Sequence, residues 1–374
     1  MQNQEKMEQL SRSRLRFLGV INNTPLVGPR NVNIHITNVC NLNCNYCWYN
    51  YPGNKNKSGV FLSYECLAGI VKDCQRLKVE SICLSGEGEP TLHPDICNIV
   101  RLIKANNIRL VLLTNGTWHT NFLRIAHLAD TIRVNISAPS KNQYLGIHGK
   151  DMFNQVIKNV LMLNKLKCKK KLVCPSTEFV FILNKQTYSG LKTMVSLAKK
   201  IGVNRITVKM MSPTKENKQY ALTKQDIPLI KKILFEINKA NEEVKISNNF
   251  DDIYNQISKE GFLEPRQGNS VEYFSNFAGT KNMTKCYIGY YFAQIDLAGD
   301  VTLCCINRRF IVGNICNKSF FDIWNSKQAQ DFRIKSKCEI DLDIREWKDC
   351  NHCLQWKFLL SLNKRIDECL KGKK

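Results

Sequence analysis

Cys40-Asn41-Leu42-Asn43-Cys44-Asn45-Tyr46-Cys47 sets three thiols on one short loop, directly after the apolar, strand-like run from Val32 to Thr37. Thiolate sulfur is a soft ligand that selects zinc or iron–sulfur clusters. A structural zinc site of this kind pairs one C-x2-C with a second, and no second pair lies nearby. Three cysteines suit a [4Fe–4S] cubane, whose fourth iron then keeps an open position for a substrate or cofactor. The competing readings are three unrelated cysteines in a loop, or a zinc knuckle.

On the C-terminal side of this loop, apolar runs of strand length alternate with segments of helical period. Strands are expected at Val32 to Thr37, Glu80 to Ser85, Arg109 to Thr114, Thr131 to Ser137, Glu178 to Leu183 and Arg205 to Met210. Helices are expected at Tyr64 to Leu77, Pro94 to Asn106, His119 to Ala129, Met152 to Leu166 and Thr187 to Ile201. This alternation means βαβ units and a parallel sheet, and six units close only part of a barrel. Barrel enzymes place their chemistry at the C-terminal ends of the strands. There stand the cysteine loop, Ser85-Gly86-Glu87-Gly88-Glu89-Pro90, Thr114-Asn115-Gly116 and Asn135-Ile136-Ser137. Glycines admit close backbone approach, a carboxylate accepts from a ligand ammonium, and the small polar residues can bond hydroxyls or a carboxylate. Each is also ordinary turn chemistry. His93 and Trp48 read as structural.

Beyond another amphipathic segment, Thr223 to Glu243, and a polar connection, Asn248 to Asn282, the composition turns aromatic and cysteine-rich. Tyr290 to Asp296 and Val301 to Cys304 flank a Leu297-Ala298-Gly299-Asp300 turn, a hairpin signal. Cys286, Cys304, Cys350 and Cys353 are the four thiols to group, as ligands of a cluster or of one zinc. Cys338 and Cys369 stand as extra candidates. Cys305 and Cys316 have no assigned partner and read most plainly as small buried hydrophobes.

The C-x3-C-x2-C spacing with Tyr46 before the last cysteine resembles the signature of the radical S-adenosylmethionine (radical SAM) enzymes. That resemblance implies an α/β fold, a partial (βα)6 radical SAM barrel followed by a small β-hairpin/α SPASM/twitch domain. It implies that Cys40, Cys44 and Cys47 hold the catalytic [4Fe–4S] cluster. It also implies that Tyr46, Gly88, Glu89, Asn115, Asn135 and Ser137 are the SAM-contacting positions, Gly88 and Glu89 through the family's G-G-E motif. Cys286, Cys304, Cys350 and Cys353 are similar to the ligands of a SPASM/twitch auxiliary [4Fe–4S] cluster. Leu359 and Asn363 occupy places where a full SPASM domain has further cysteines, so one auxiliary cluster of the twitch type is expected. The implied organisation is an N-terminal helix and loop (1–30), the barrel (31–213), a helical connecting region (214–283) and the auxiliary cluster domain with a C-terminal helix (284–374). An electron donor such as flavodoxin or ferredoxin is implied as a partner.

Composition bounds the remaining classes. The chain has 374 residues, 43% of them hydrophobic and 23% charged, as globular proteins have. No apolar run is long enough to span a membrane, and the N-terminus lacks the apolar core of a secretory signal. With 17 cysteines clustered unevenly, metal ligation in a reducing, cytoplasmic setting is the expectation. The net charge of +23 favours anionic partners and is otherwise a lysine-rich solvated surface; no RNA-binding motif accompanies it. Three substrate readings stand: a ribosomally made peptide to be cross-linked or epimerised, an aminocyclitol or sugar to be dehydrogenated, or, in another class, nucleic acid bound by a metal-stabilised protein.

Overall fold

The computed structural model describes residues 2–47, 49, 59–211, 217–241, 247–251, 253–254, 285–305, 309–338 and 356–371. Six strands, β1 (Asn31–His35), β2 (Ser81–Ser85), β3 (Arg109–Thr114), β4 (Thr131–Asn135), β5 (Ser176–Leu183) and β6 (Arg205–Met210), pair in sequence order and all in parallel. They are the six expected strands, displaced by at most two residues at the ends. Helices α2 (Tyr64–Arg76), α3 (Ile96–Ala105), α4 (Thr120–Ala126), α5 (Lys141–His148), α6 (Phe153–Lys169) and α7 (Leu191–Lys200) lie in the crossovers. Local rules account for α2: Ser63 caps it by accepting from the Cys66 amide, and Leu67, Ile70, Val71 and Cys74 form one buried stripe. Helix α5 was not expected from periodicity. It runs from Ser140 to a left-handed Gly149.

Ahead of the barrel, α1 (Gln2–Ile21) is longer than the short helix expected. It docks through Arg16, which is buried, donates to Gly28 O at 2.9 Å, and pairs with buried Glu80. Arg30 and Arg109 approach the same carboxylate at 3.4 and 3.6 Å. After α8 (Ile227–Asn241) the hairpin forms as expected, as β7 (Phe292–Ile295) and β8 (Asp300–Thr302), with β9 (Ile311–Asn314) added.

The barrel pattern was expected to end before this hairpin; instead β7 pairs in parallel with β1, from Asn31↔Phe292 to Ile34↔Ile295. The result is one nine-stranded sheet in the order β6-β5-β4-β3-β2-β1-β7-β8-β9. Pairing removes the open edge that β1 would otherwise present. Helices α9 (Phe320–Trp324), α10 (Lys327–Cys338) and α11 (Trp356–Lys371) complete the C-terminal part. The module is also fastened to α2: Phe321 N donates to Asp73 at 3.1 Å, and the Arg76 guanidinium lies 3.5 Å from the Phe321 ring centre. A groove of about 770 Å³ between α2 and Lys318–Phe320 shares no residue with the cysteine loop. No helix among the described residues is long and apolar enough to cross a membrane.

Candidate functional site

The cysteine loop leaves β1 and is held from two sides. On one side it zips to the loop after β2: Gly88 N donates to Thr37 O at 2.9 Å and Glu89 N to Val39 O at 2.8 Å. A Cβ on Gly88 would sit 2.2 Å from Val39 O, so only glycine fits. On the other side the C-terminus of α5 grips it: Asn43 N donates to His148 O and Asn45 N to Ile147 O, both at 3.0 Å. The Asn45 side chain bonds Gln186 at 2.6 Å.

Glu89 is the hub. Its carboxylate is buried and receives Thr91 N at 3.1 Å, the Thr91 and Thr114 hydroxyls at 2.6 Å, and Asn115 N at 2.6 Å. Burial pushes its pKa up, and these four bonds pull it back. Three of these donors meet Oε1 and one meets Oε2, so the carboxylate frames the loops around the cysteines and Oε2 keeps acceptor capacity. Two other positions named from the sequence also have protein partners. The Asn115 side chain accepts from Thr117 N and its hydroxyl and donates to Asn41 at 2.8 Å. Ser137 is fully buried, and its Oγ accepts from Ile182 N at 2.9 Å. Tyr46 and Asn135 meet directly, the phenol donating to Asn135 Oδ1 at 3.2 Å. Asn115 is bonded to the cysteine loop through Asn41, while Ser137 ties the end of β4 to β5.

The thiols interact. Burial, then Cys47 and Cys40, push the Cys44 pKa well up. Burial is also the main cause for Cys40, raised to about 11, with Glu89 and Cys47 adding to it and the Leu42 amide and Asn115 side chain opposing. Three mutually unfavourable thiolates require a strongly cationic centre, and a cluster of irons supplies one. Tyr144 Oη, also beside the loop, is buried with no hydrogen-bond partner among the described residues. The donor set therefore fits a cluster at Cys40, Cys44 and Cys47.

Sequence reasoning missed His148. Its ring is buried, stacked on Tyr144 at 4.2 Å and edge-on to Tyr46 at 5.9 Å, with Nδ1 3.1 Å from Cys44 Sγ. His93 is structural as expected, bridging Leu62 O at 2.8 Å and Asp95 N at 3.1 Å. Trp48 lies outside the described residues.

In the C-terminal part, Cys286 is buried just before β7, and Cys304 follows β8 by two residues, level with the start of β7. Cys350 and Cys353 lie outside the described residues. Cys305 lies within electrostatic range of Lys209 on β6. Cys316 instead interacts with Cys66 on α2.

A family model described as the radical SAM superfamily matches residues 34–198, and one described as an iron–sulfur cluster-binding domain, SPASM, matches residues 286–354. The chain belongs to the radical SAM superfamily, with a C-terminal SPASM domain. Radical SAM enzymes with SPASM domains carry [4Fe–4S] clusters and use SAM. A probable GTP 3′,8-cyclase of Pyrococcus abyssi is 35% identical over 138 residues, 36% of this chain and 44% of the relative. One of Saccharolobus islandicus is 28% identical over 183 residues, 48% of this chain and 56% of the relative. The chain thus spans about half the length of the curated relatives it matches. Among solved structures, Streptococcus suis SuiB bound to S-adenosylmethionine aligns with a TM-score of 0.65 at 16% identity, covering 94% of this chain and 79% of that one. Native anSMEcpe with bound AdoMet and Cp18Cys peptide aligns with a TM-score of 0.58 at 16% identity, covering 90% and 99%. At such identities the likeness is one of fold.

Proposed function

We propose that this protein is a radical SAM maturase that modifies a ribosomally made peptide by cross-linking or epimerisation, using one auxiliary cluster. SAM bound at the cluster supplies a 5′-deoxyadenosyl radical that removes a hydrogen atom from the substrate. The chain's own residues hold the parts: Cys40, Cys44 and Cys47 ligate the catalytic cluster, and Glu89, Asn115 and Ser137 lock the loops that carry it. Tyr46 and Asn135 face the cofactor. Cys286, Cys304, Cys350 and Cys353 ligate the auxiliary cluster, and a flavodoxin or ferredoxin supplies electrons.

The observation that carries the peptide reading is the joining of the auxiliary domain to the barrel through β7 on β1. It brings Cys286 and Cys304 to the barrel's β1 side, in a chain whose fold aligns over 90% of its length with anSMEcpe, solved with a peptide, and over 88% with SuiB, solved with the precursor peptide SuiA. The net charge of +23 suits an acidic leader segment. A second reading, a nucleotide substrate, is favoured by the probable GTP 3′,8-cyclases that match 36% and 48% of the chain. Anaerobic turnover with SAM and dithionite separates the two, using synthetic acidic peptides from short reading frames beside the gene, or GTP. Peptide-stimulated 5′-deoxyadenosine, with loss of about 2 Da on cross-linking or uptake of one solvent deuterium on epimerisation, supports the maturase. Stimulation by GTP alone overturns it.

A further inference from the structure

His148 makes two contacts that together fix where its proton sits. The Ser137 backbone N–H can only donate, and it donates to His148 Nε2 at 3.3 Å. Nε2 is therefore the unprotonated nitrogen, and the proton is on Nδ1, which faces Cys44 Sγ at 3.1 Å. The ring cannot turn away. Tyr144 stacks on it with an interplanar angle of 27°, Tyr46 meets it edge-on, and the Asn43 amide ties the His148 backbone to the loop. The orientation is thus set by β4, α5 and the cysteine loop together.

We propose that His148 is a positioning residue for the catalytic cluster, donating Nδ1–H to the Cys44 sulfur and thereby raising the cluster's reduction potential. An N–H···S bond strengthens as negative charge accumulates on the sulfur, so it stabilises the reduced cluster over the oxidised one; hydrogen bonds to cluster sulfurs are a main determinant of potential. The inference rests on the reading of Cys44 as a cluster ligand.

The test is a potentiometric titration of the anaerobically reconstituted full chain, followed by electron paramagnetic resonance. The catalytic signal is identified by its loss in a Cys40/Cys44/Cys47→Ala triple variant. If that signal survives the triple variant, the ligand reading fails, independently of His148. His148→Asn places an amide N–H near the Nδ1 position and keeps the donor. His148→Gln puts its amide group near Nε2 and loses the donor, and His148→Phe loses both contacts. The expectation is that His148→Asn stays close to wild type. The Gln and Phe variants become harder to reduce by about tenfold in the equilibrium constant, 59 mV for a one-electron couple. An unshifted potential in His148→Gln overturns the proposal, as do equal shifts in all three variants or failure of His148→Asn to take up iron, since each makes the residue merely structural.

Discussion

Replacing Glu89 by glutamine removes one charge and almost no volume, so its cost reports on hydrogen bonding and buried charge with no cavity left behind. Oε1 of Glu89 receives Thr91 N, Thr91 Oγ1 and Thr114 Oγ1, and Oε2 receives Asn115 N. The hydroxyls can turn to accept from an amide; the two backbone N–H groups cannot. Whichever way the introduced side-chain amide is placed, its NH2 faces a backbone N–H, leaving a buried donor unpaired at about 1–3 kcal/mol and losing a charge-assisted bond of about 1.5–3 kcal/mol. Relief of the buried charge offsets part of this, so the net loss is about 2 kcal/mol. With m of about 3 kcal/mol/M, the urea midpoint of the reduced, iron-free protein falls by about 0.7 M, while exposed Glu65→Gln shifts it little. Burial raises the folded pKa of Glu89 above its unfolded value. Its own contribution is therefore fullest at low pH and declines as pH rises through the folded value. The deficit of Glu89→Gln should shrink from pH 5 to pH 8. An unchanged midpoint would refute the hub, and a deficit growing with pH would refute the dominance of burial.

Other perturbations follow from the same geometry. Gly149 has φ +72° and its Cβ would stand 2.6 Å from Asn43 O; Gly149→Ala should cost about 1–3 kcal/mol and reduce iron retention on gel filtration, whereas full retention would mean that α5 does not grip the loop. Glu80→Ala leaves the buried Arg16 guanidinium without its carboxylate and should cost about 3–5 kcal/mol in urea unfolding; a loss under about 1 kcal/mol would show that α1 does not dock through this pair.

What the sequence made legible was local in origin. Apolar runs of strand length alternating with helical stripes gave the six parallel strands, and the cysteine spacing marked the loop after β1. Helix α5 escaped because its apolar stripe is short, although Ser140 at its start and Gly149 at its end are ordinary start and stop signals. With α5 went His148, which meets Cys44 across 104 residues of chain. The pairing of β7 with β1 joins segments more than 250 residues apart, and nothing in either strand's composition encodes that neighbour. The residues around the loop were found, but their division of labour was not. The motif marks Glu89, but the four protein donors that meet its carboxylate come from residues at separations of two to 26, which no local pattern shows.

If the loop of three cysteines holds the catalytic cluster and a separate set holds an auxiliary one, as proposed, iron counting exposes the division. The decisive experiment is iron per chain after anaerobic reconstitution, with 5′-deoxyadenosine formed from SAM and dithionite, for wild type and the Cys40/Cys44/Cys47→Ala variant. About eight irons falling to about four, with 5′-deoxyadenosine abolished, is the predicted result for two four-iron clusters; zinc in place of iron, or undiminished SAM cleavage in the variant, would contradict it.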